Sequence, residues 1–337
     1  MPGTICSVPP DDGAVIVLFC TRAHDRTHRV LERSRRMRFR VIPYERLFRM
    51  RRLPRATFIF TDFDRLDFWD LEMAARVYRR VREAGARALN DPARVSSRFR
   101  LLRDLAHDGW NDFGVWRVHE RPPAEAFPVF LRTDSAHRGV LTDLLVDEQA
   151  LERAIARALD DGIPLRELMV VQYCATPLAE GLYRKLAAYR VGERTVPALS
   201  VHQSCWHAKS GELGIAGQAH YEEEYAQVER NPYGDALLPA FERGYVEYGR
   251  ADFSLVGGRP QVYEINTNPT VSRVRTHPYA IRLEACRLAR ERLQDAMAEI
   301  DGPPSGPAIP LPDDRSLARR LVHLWRTGQW RRTPPMR

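Results

Sequence analysis

With 337 residues, 44% of them hydrophobic, the chain can bury a sizeable core and is expected to form two or three compact units. No apolar stretch approaches the roughly 20 residues a membrane span requires, and Met1–Cys6 opens no charged segment followed by an apolar run, so a cytoplasmic location is the expectation. The net charge of +8 is almost all arginine, and the clusters 33–40 and 46–55 lack interleaved aromatic platforms and are closely followed by acids, which reads as solvated surface and argues against nucleic-acid binding.

In chain order, Ala14–Cys20 is a continuous apolar run of strand length, followed by a polar helical stretch near 24–36 and further strands at Arg38–Ile42 and Thr57–Thr61. A helix over Leu71–Ala84 and a short strand Ala86–Leu89 complete a small parallel α/β unit. Asn90-Asp91-Pro92 supplies an N-cap and a first-turn proline for a helix running to about His107. Phe127–Arg132 reads as a strand ending in a cation, and 133–139 as a polar loop able to close over phosphates. A helix over Asp147–Asp160 and a buried strand over Leu168–Cys174 follow. Strands at Leu182–Val191 and Val196–His202 continue a mainly antiparallel sheet, and helices are expected at Asp235–Tyr248 and His277–Ile300, with loops over 210–232. Residues 302–315 hold five prolines and read as a linker or a surface-hugging arm. Beyond them Leu317, Leu321, Leu324 and Trp325 share a helical face among arginines. That face is read as docked on its own domain or a second subunit, in preference to an anionic membrane surface.

The chemistry concentrates in Gly249-Arg250-Ala251-Asp252 and Val262-Tyr263-Glu264-Ile265-Asn266-Thr267-Asn268-Pro269. Alternate side chains of a strand share a face, so Glu264 and Asn266 point the same way, and a turn at Gly257-Gly258 folds Asp252 back beside them. Carboxylate and amide oxygens are what a hard divalent cation with phosphate partners takes, which makes Asp252, Glu264 and Asn266 a candidate site for Mg2+, with Mn2+ as a substitute. Lys185 and Lys209 are the two lysines among 52 basic residues. In a chain that holds arginine nearly everywhere else, they point to a need for a compact ammonium acting on phosphate.

The Arg-x-Asp and Glu-x-Asn-Thr-x-Pro spacing resembles the metal-binding end of the ATP-grasp superfamily, in the pattern of D-alanine–D-alanine ligase. The resemblance covers about residues 90–300. It implies a fold in which an N-terminal α/β domain (1–91) precedes a two-subdomain ATP-grasp pair (92–174 and 175–301) with a mainly antiparallel sheet, the segment 302–337 forming a Pro-rich linker and a basic helix. It further implies nucleotide contacts from Arg132, from the hinge Gln172-Tyr173-Cys174, from Glu180 on the ribose, and from Lys185 and Lys209 on the phosphates. Lysine and glutamate are commoner than Arg132 and Gln172 at these places. Glu180 reads equally as a plain solvated carboxylate. Arg250 is implied to hold the acyl end of a substrate, with a salt bridge to a neighbouring acid as its alternative. The activity implied is ATP-dependent joining of a carboxylate to an amine through an acylphosphate. The alternatives are a small-molecule kinase on the same fold, or a nucleotide-binding module. The partners expected are ATP and the two substrates, with homo-oligomers allowed and peripheral membrane contact not favoured.

Arg190 alternates with Lys185 and is assigned to the surface. His202, Cys205 and His207 are too unevenly spaced for zinc on one strand face, and no base is identifiable beside Cys205. The five cysteines are widely spaced and read as reduced thiols.

Overall fold

The computed structural model describes residues 15–135, 139–271, 274–302, 306–313 and 315–328. The chain begins β1 (Val15–Cys20), α1 (Arg29–Glu32), β2 (Arg38–Pro43), α2 (Tyr44–Leu47), β3 (Arg52–Leu53), β4 (Thr57–Phe60), α3 (Phe68–Glu83) and β5 (Ala88–Leu89). Four of these strands form a parallel sheet in the order β2-β1-β4-β5. Every residue of β1 is buried, as a strand covered on both faces requires. Val15, Val17 and Phe19 join a core with Phe58 and with Met73 and Val77 of α3, while Ile16, Leu18 and Cys20 pack in a second core with Leu293 and Met297 from near the far end of the sequence. The helix expected over 24–36 is broken into a 3₁₀ turn at Arg22–His24 and the single turn of α1.

The middle of the chain contains α4 (Arg98–His107), β6 (Val115–Arg117), β7 (Val129–Thr133), α5 (Glu148–Asp160) and β8 (Leu168–Gln172), with an antiparallel sheet ordered β6-β8-β7. Then come β9 (Tyr183–Val191), β10 (Arg194–Pro197), β11 (Val201–Gln203), α6 (Gln218–Arg230), α7 (Gly234–Arg243), β12 (Tyr248–Val256) and β13 (Arg259–Asn266). They build a second antiparallel sheet, β10-β9-β12-β13, with β11 also paired to β9. α8 (Ala280–Ile300) covers the parallel sheet, β14 (Ile309–Pro310) returns to pair with β3, and α9 (Leu317–Thr327) ends the described chain.

Several expected elements are corrected. The helix expected from Asn90 starts at Arg98 with Ser97 as its cap, because Asn90 is engaged elsewhere. It sits in the left-handed region (φ 61°), fully buried, its amide donating to Phe60 O and Tyr248 O and accepting from Glu247 and Tyr248 N–H, so it pins the parallel sheet to β12. Residues 218–230, read as loop, are helical, and α7 stops at Arg243 because Tyr245 takes a positive φ of 54°. Arg190 is buried, not on the surface. Its guanidinium donates to Gly192 O (2.8 Å) and Val246 O (3.3 Å), replacing water with carbonyls at the edge of the sheet. The proline-rich arm lies on the N-terminal sheet, with Ile309 and Leu311 in its core. On α9, Leu317, Leu321 and Trp325 of the expected face are exposed and Leu324 is half-buried, so among the described residues most of that apolar stripe is uncovered. Among the described residues no helix is long and apolar enough to cross a membrane.

Candidate functional site

The hairpin β12–β13 turns through Gly257 (φ 56°) and Gly258 (φ 80°), the pair of left-handed residues a tight two-residue turn demands. From that turn Val256 pairs with Arg259, Leu255 with Pro260, Ser254 with Gln261 and Phe253 with Val262. The next pair is Asp252 with Glu264: Tyr263 is an extra residue in β13, a β-bulge. Without it Asp252 would oppose Tyr263, and Glu264 would face the other side of the sheet. The bulge brings Arg250, Asp252, Ser254, Tyr263, Glu264 and Asn266 to line one cavity. Tyr263 OH donates to Cys174 O (2.5 Å) and also meets Ser254 Oγ, which ties the bulge to the segment after β8.

Each of the two acids is held by two cations. Asp252, 2% exposed, receives Lys185 Nζ at 2.9 Å from β9 and Arg250 Nε at 2.8 Å from its own strand. Glu264 Oε2 receives Arg132 Nη2 at 2.9 Å from β7 and Arg98 Nη2 at 3.0 Å from α4. The salt bridge foreseen as an alternative for Arg250 is therefore present, together with placement on the cavity. Burial works against the charged form of Arg250, but the Asp252 carboxylate and the Tyr189 hydroxyl outweigh it and hold the guanidinium above its ordinary range. Arg132 is pulled down, first by burial and then by the charge of Arg98. Two arginines share Glu264 there, with Asp64 as a further acid 4.0 Å from Arg98, and the Nε of each arginine is buried without a hydrogen-bond partner. Asn266 Oδ1 accepts from Asn268 N–H (2.9 Å) and keeps a second lone pair. The donor set, two carboxylates and an amide oxygen with no thiol or imidazole among them, fits a hard cation such as magnesium.

Sequence reading missed Arg98, which lies in the first turn of α4 and also donates to Thr133 O (3.0 Å) and Asp134 O (2.7 Å). It carries no local signature that separates it from the other arginines.

The cavity, about 590 Å³, lies within the range of small-molecule sites. Beyond the hairpin it is lined by Arg132, Lys185 and Lys209 and by the hinge Gln172, Tyr173 and Cys174, so the structure brings these expected residues together. Gln172 Oε1 accepts from Gly114 N–H and Tyr173 N–H donates to Pro128 O (3.0 Å), which fixes the hinge by its own bonds. The Phe130 and Trp206 rings lie 4.7 Å apart and tilted, with Tyr173 edge-on to Trp206, and form an apolar wall of the kind a flat base can enter. Glu180 is fully outside this group: it is exposed and does not line the cavity. Of the loop expected to close over phosphates, residues 136–138 lie outside the described residues. Cys205 has a base beside it, His207 Nε2 at 3.6 Å, whereas His202 is buried edge-on to His220 and Tyr221. Sequence reading also missed His24, Thr27 and Arg65, which line the cavity from the N-terminal sheet.

No protein-family model and no curated relative matches the chain. Solved structures do. The chain resembles ATP-grasp proteins. A D-alanine–D-alanine ligase from Bacillus anthracis complexed with ATP is 12% identical, with a TM-score of 0.45, and the alignment covers 86% of this chain and 100% of that one. A RimK domain ATP-grasp protein from Sphaerobacter thermophilus is 14% identical (TM-score 0.42; 86% and 99% covered). An L-amino acid ligase from Bacillus licheniformis is 12% identical (TM-score 0.39), covering 86% of this chain and 75% of the other.

Proposed function

We propose that the chain is an ATP-dependent carboxylate–amine ligase, forming an amide through an acylphosphate and releasing ADP and phosphate. The observation that carries this reading is the cation-flanked face of the hairpin, where Arg250, Asp252, Glu264 and Asn266 line one cavity with Lys185, Lys209 and Arg132. Asp252, Glu264 and Asn266 would hold magnesium, which supplies charge neutralisation at the β- and γ-phosphates of ATP. The base enters between the hinge and the Phe130–Trp206 wall. Arg132, Lys185 and Lys209 spread the charge that develops as the γ-phosphoryl group passes to a substrate carboxylate. Arg250 holds the acyl end, since a planar guanidinium can hydrogen-bond two oxygens of an acylphosphate at once. Closing the cavity against water protects that acylphosphate until an amine displaces phosphate.

The test is to incubate the chain with ATP, Mg2+ and a pool of acids and amines, follow ADP, and identify the condensed product by mass. ADP formation that requires both an acid and an amine, with a product lighter than their sum by one water, is expected. ADP formed with phosphate transferred stably to a hydroxyl would replace the ligase by a kinase.

A further inference from the structure

The cavity wall beyond the β12–β13 hairpin is built from the N-terminal sheet, and its chemistry selects a substrate. In that sheet the chain leaves β1 to form β2 on one side and returns to form β4 on the other, so the crevice between the carboxyl ends of β1 and β4 is the point where ligands of such sheets bind. Thr21, His24 and Thr27 follow β1 there, and Asp62 and Arg65 follow β4. Asp62 organises them. It is buried, at φ 65°, and accepts from Thr21 N–H (2.9 Å), from Thr21 Oγ1 and from Arg65 Nη1. Thr21 Oγ1 in turn meets His24 Nδ1 at 3.0 Å. The wall is fastened to the end of the hairpin: Asp62 N–H donates to Thr267 Oγ1 (3.1 Å), Val271 N–H to Thr27 O (2.9 Å), and Thr27 Oγ1 to Asn268 Oδ1 (2.8 Å).

Asn268 adds a second, independent observation. It is 4% exposed, it lines the cavity, and its Nδ2 has no hydrogen-bond partner. A buried amide donor left unpaired costs about 1–3 kcal/mol, so a ligand acceptor at this place has a definite value. The cavity-facing donors here are that amide and the Arg65 nitrogens not used by Asp62. Asp62 is turned to Arg65 as its support.

β13 sets the order along the cavity. Tyr263 touches the hinge at Cys174, Glu264 and Asn266 are candidate metal ligands, and Asn268 touches Thr27. At roughly 3.3 Å per residue, Asn266 lies about 10 Å from Tyr263 along β13, and Asn268 follows the end of the strand. Nucleotide fills the hinge side of the metal, and what lies beyond it is the phosphoryl acceptor.

We infer that the acid substrate carries, besides the carboxylate that is activated, a second oxyanion bound by Arg65 and Asn268. This rests on the ligase reading above. Calorimetric titration of the full chain, first with ADP and Mg2+, then of the loaded protein with butyrate, succinate, glutarate and 3-phosphonopropionate, tests it. At least one dianion is expected to bind tenfold or more tightly than butyrate. Arg65→Gln and Asn268→Asp should each bring it to the level of butyrate, with ADP affinity within twofold of the parent. The ranking of succinate against 3-phosphonopropionate tells a carboxylate from a phosphorus oxyanion, and either order supports the inference. A parent protein that binds ADP but treats all four acids alike, or variants that keep the preference, would overturn it and leave the nucleotide reading standing. Failure of the parent to bind ADP with Mg2+ would overturn both.

Discussion

Arg132 reaches from β7 to within 2.9 Å of Glu264 on β13, so the small antiparallel sheet and the β12–β13 hairpin are joined through the acid proposed to bind magnesium. With Arg98 on the same oxygen at 3.0 Å, Glu264 supports the fold as well as the site. Removing the charge of a buried ion pair leaves its partners uncompensated, at a cost of about 3–5 kcal/mol when the pair is fully buried and less here, where Glu264 is partly exposed.

Glu264→Gln and Asp252→Asn are therefore expected to fold with a lowered melting temperature and, well below it, to lose turnover by about two orders of magnitude or more. ADP release measured at saturating ATP checks this. Near-normal ATP consumption in both variants would remove the metal assignment.

The two lysines should separate. Lys185 bonds Asp252 at 2.9 Å, whereas Lys209 is exposed on the rim of the cavity. Each alanine variant should weaken ATP binding by about 1.5–3 kcal/mol, roughly ten- to a hundredfold, while Lys185→Ala alone also lowers thermal stability. Unchanged nucleotide affinity in both, by calorimetry, would make their retention accidental.

Arg250→Lys keeps a charge near Asp252 but loses the planar fork. Fold and ATP affinity should be retained and amide formation should drop by about two orders of magnitude. A variant condensing its substrates at the parent rate would take Arg250 out of the mechanism.

Acid stability should report on His28. The ring is fully buried, with Nε2 2.6 Å from Tyr248 OH, and burial holds its pKa down to about 3. A folded pKa below the ordinary value of 6.5 means that the unfolded chain binds the extra proton first. Its favourable contribution is thus complete above pH 6.5 and is lost as the pH falls toward 3, at up to about 1.4 kcal/mol per pH unit. Urea unfolding of His28→Gln between pH 7 and 4.5 should show lower stability at pH 7 and a shallower decline on acidification than the parent. Parallel curves would assign the acid sensitivity to other groups.

The sequence by itself determined the parts that obey a local period or a local turn rule. The apolar run of β1, the Gly257-Gly258 turn and the Glu264–Asn266 alternation follow from side-chain spacing and from glycine's access to positive φ, and the hairpin with its acids and Arg250 was legible from them. Only the tertiary structure decided the rest. The bulge at Tyr263, which no spacing rule marks, put Asp252 and Glu264 on one face. Asn90 was taken out of a helix cap by bonds to residues more than 150 positions away. Arg98, Arg65 and Asn268 acquired their places through partners on other elements, and in a chain with so many arginines a residue's identity could not reveal which ones would be carried inward. Local pattern fixes which face of a strand a side chain takes, but what stands opposite that face depends on register and on long-range packing.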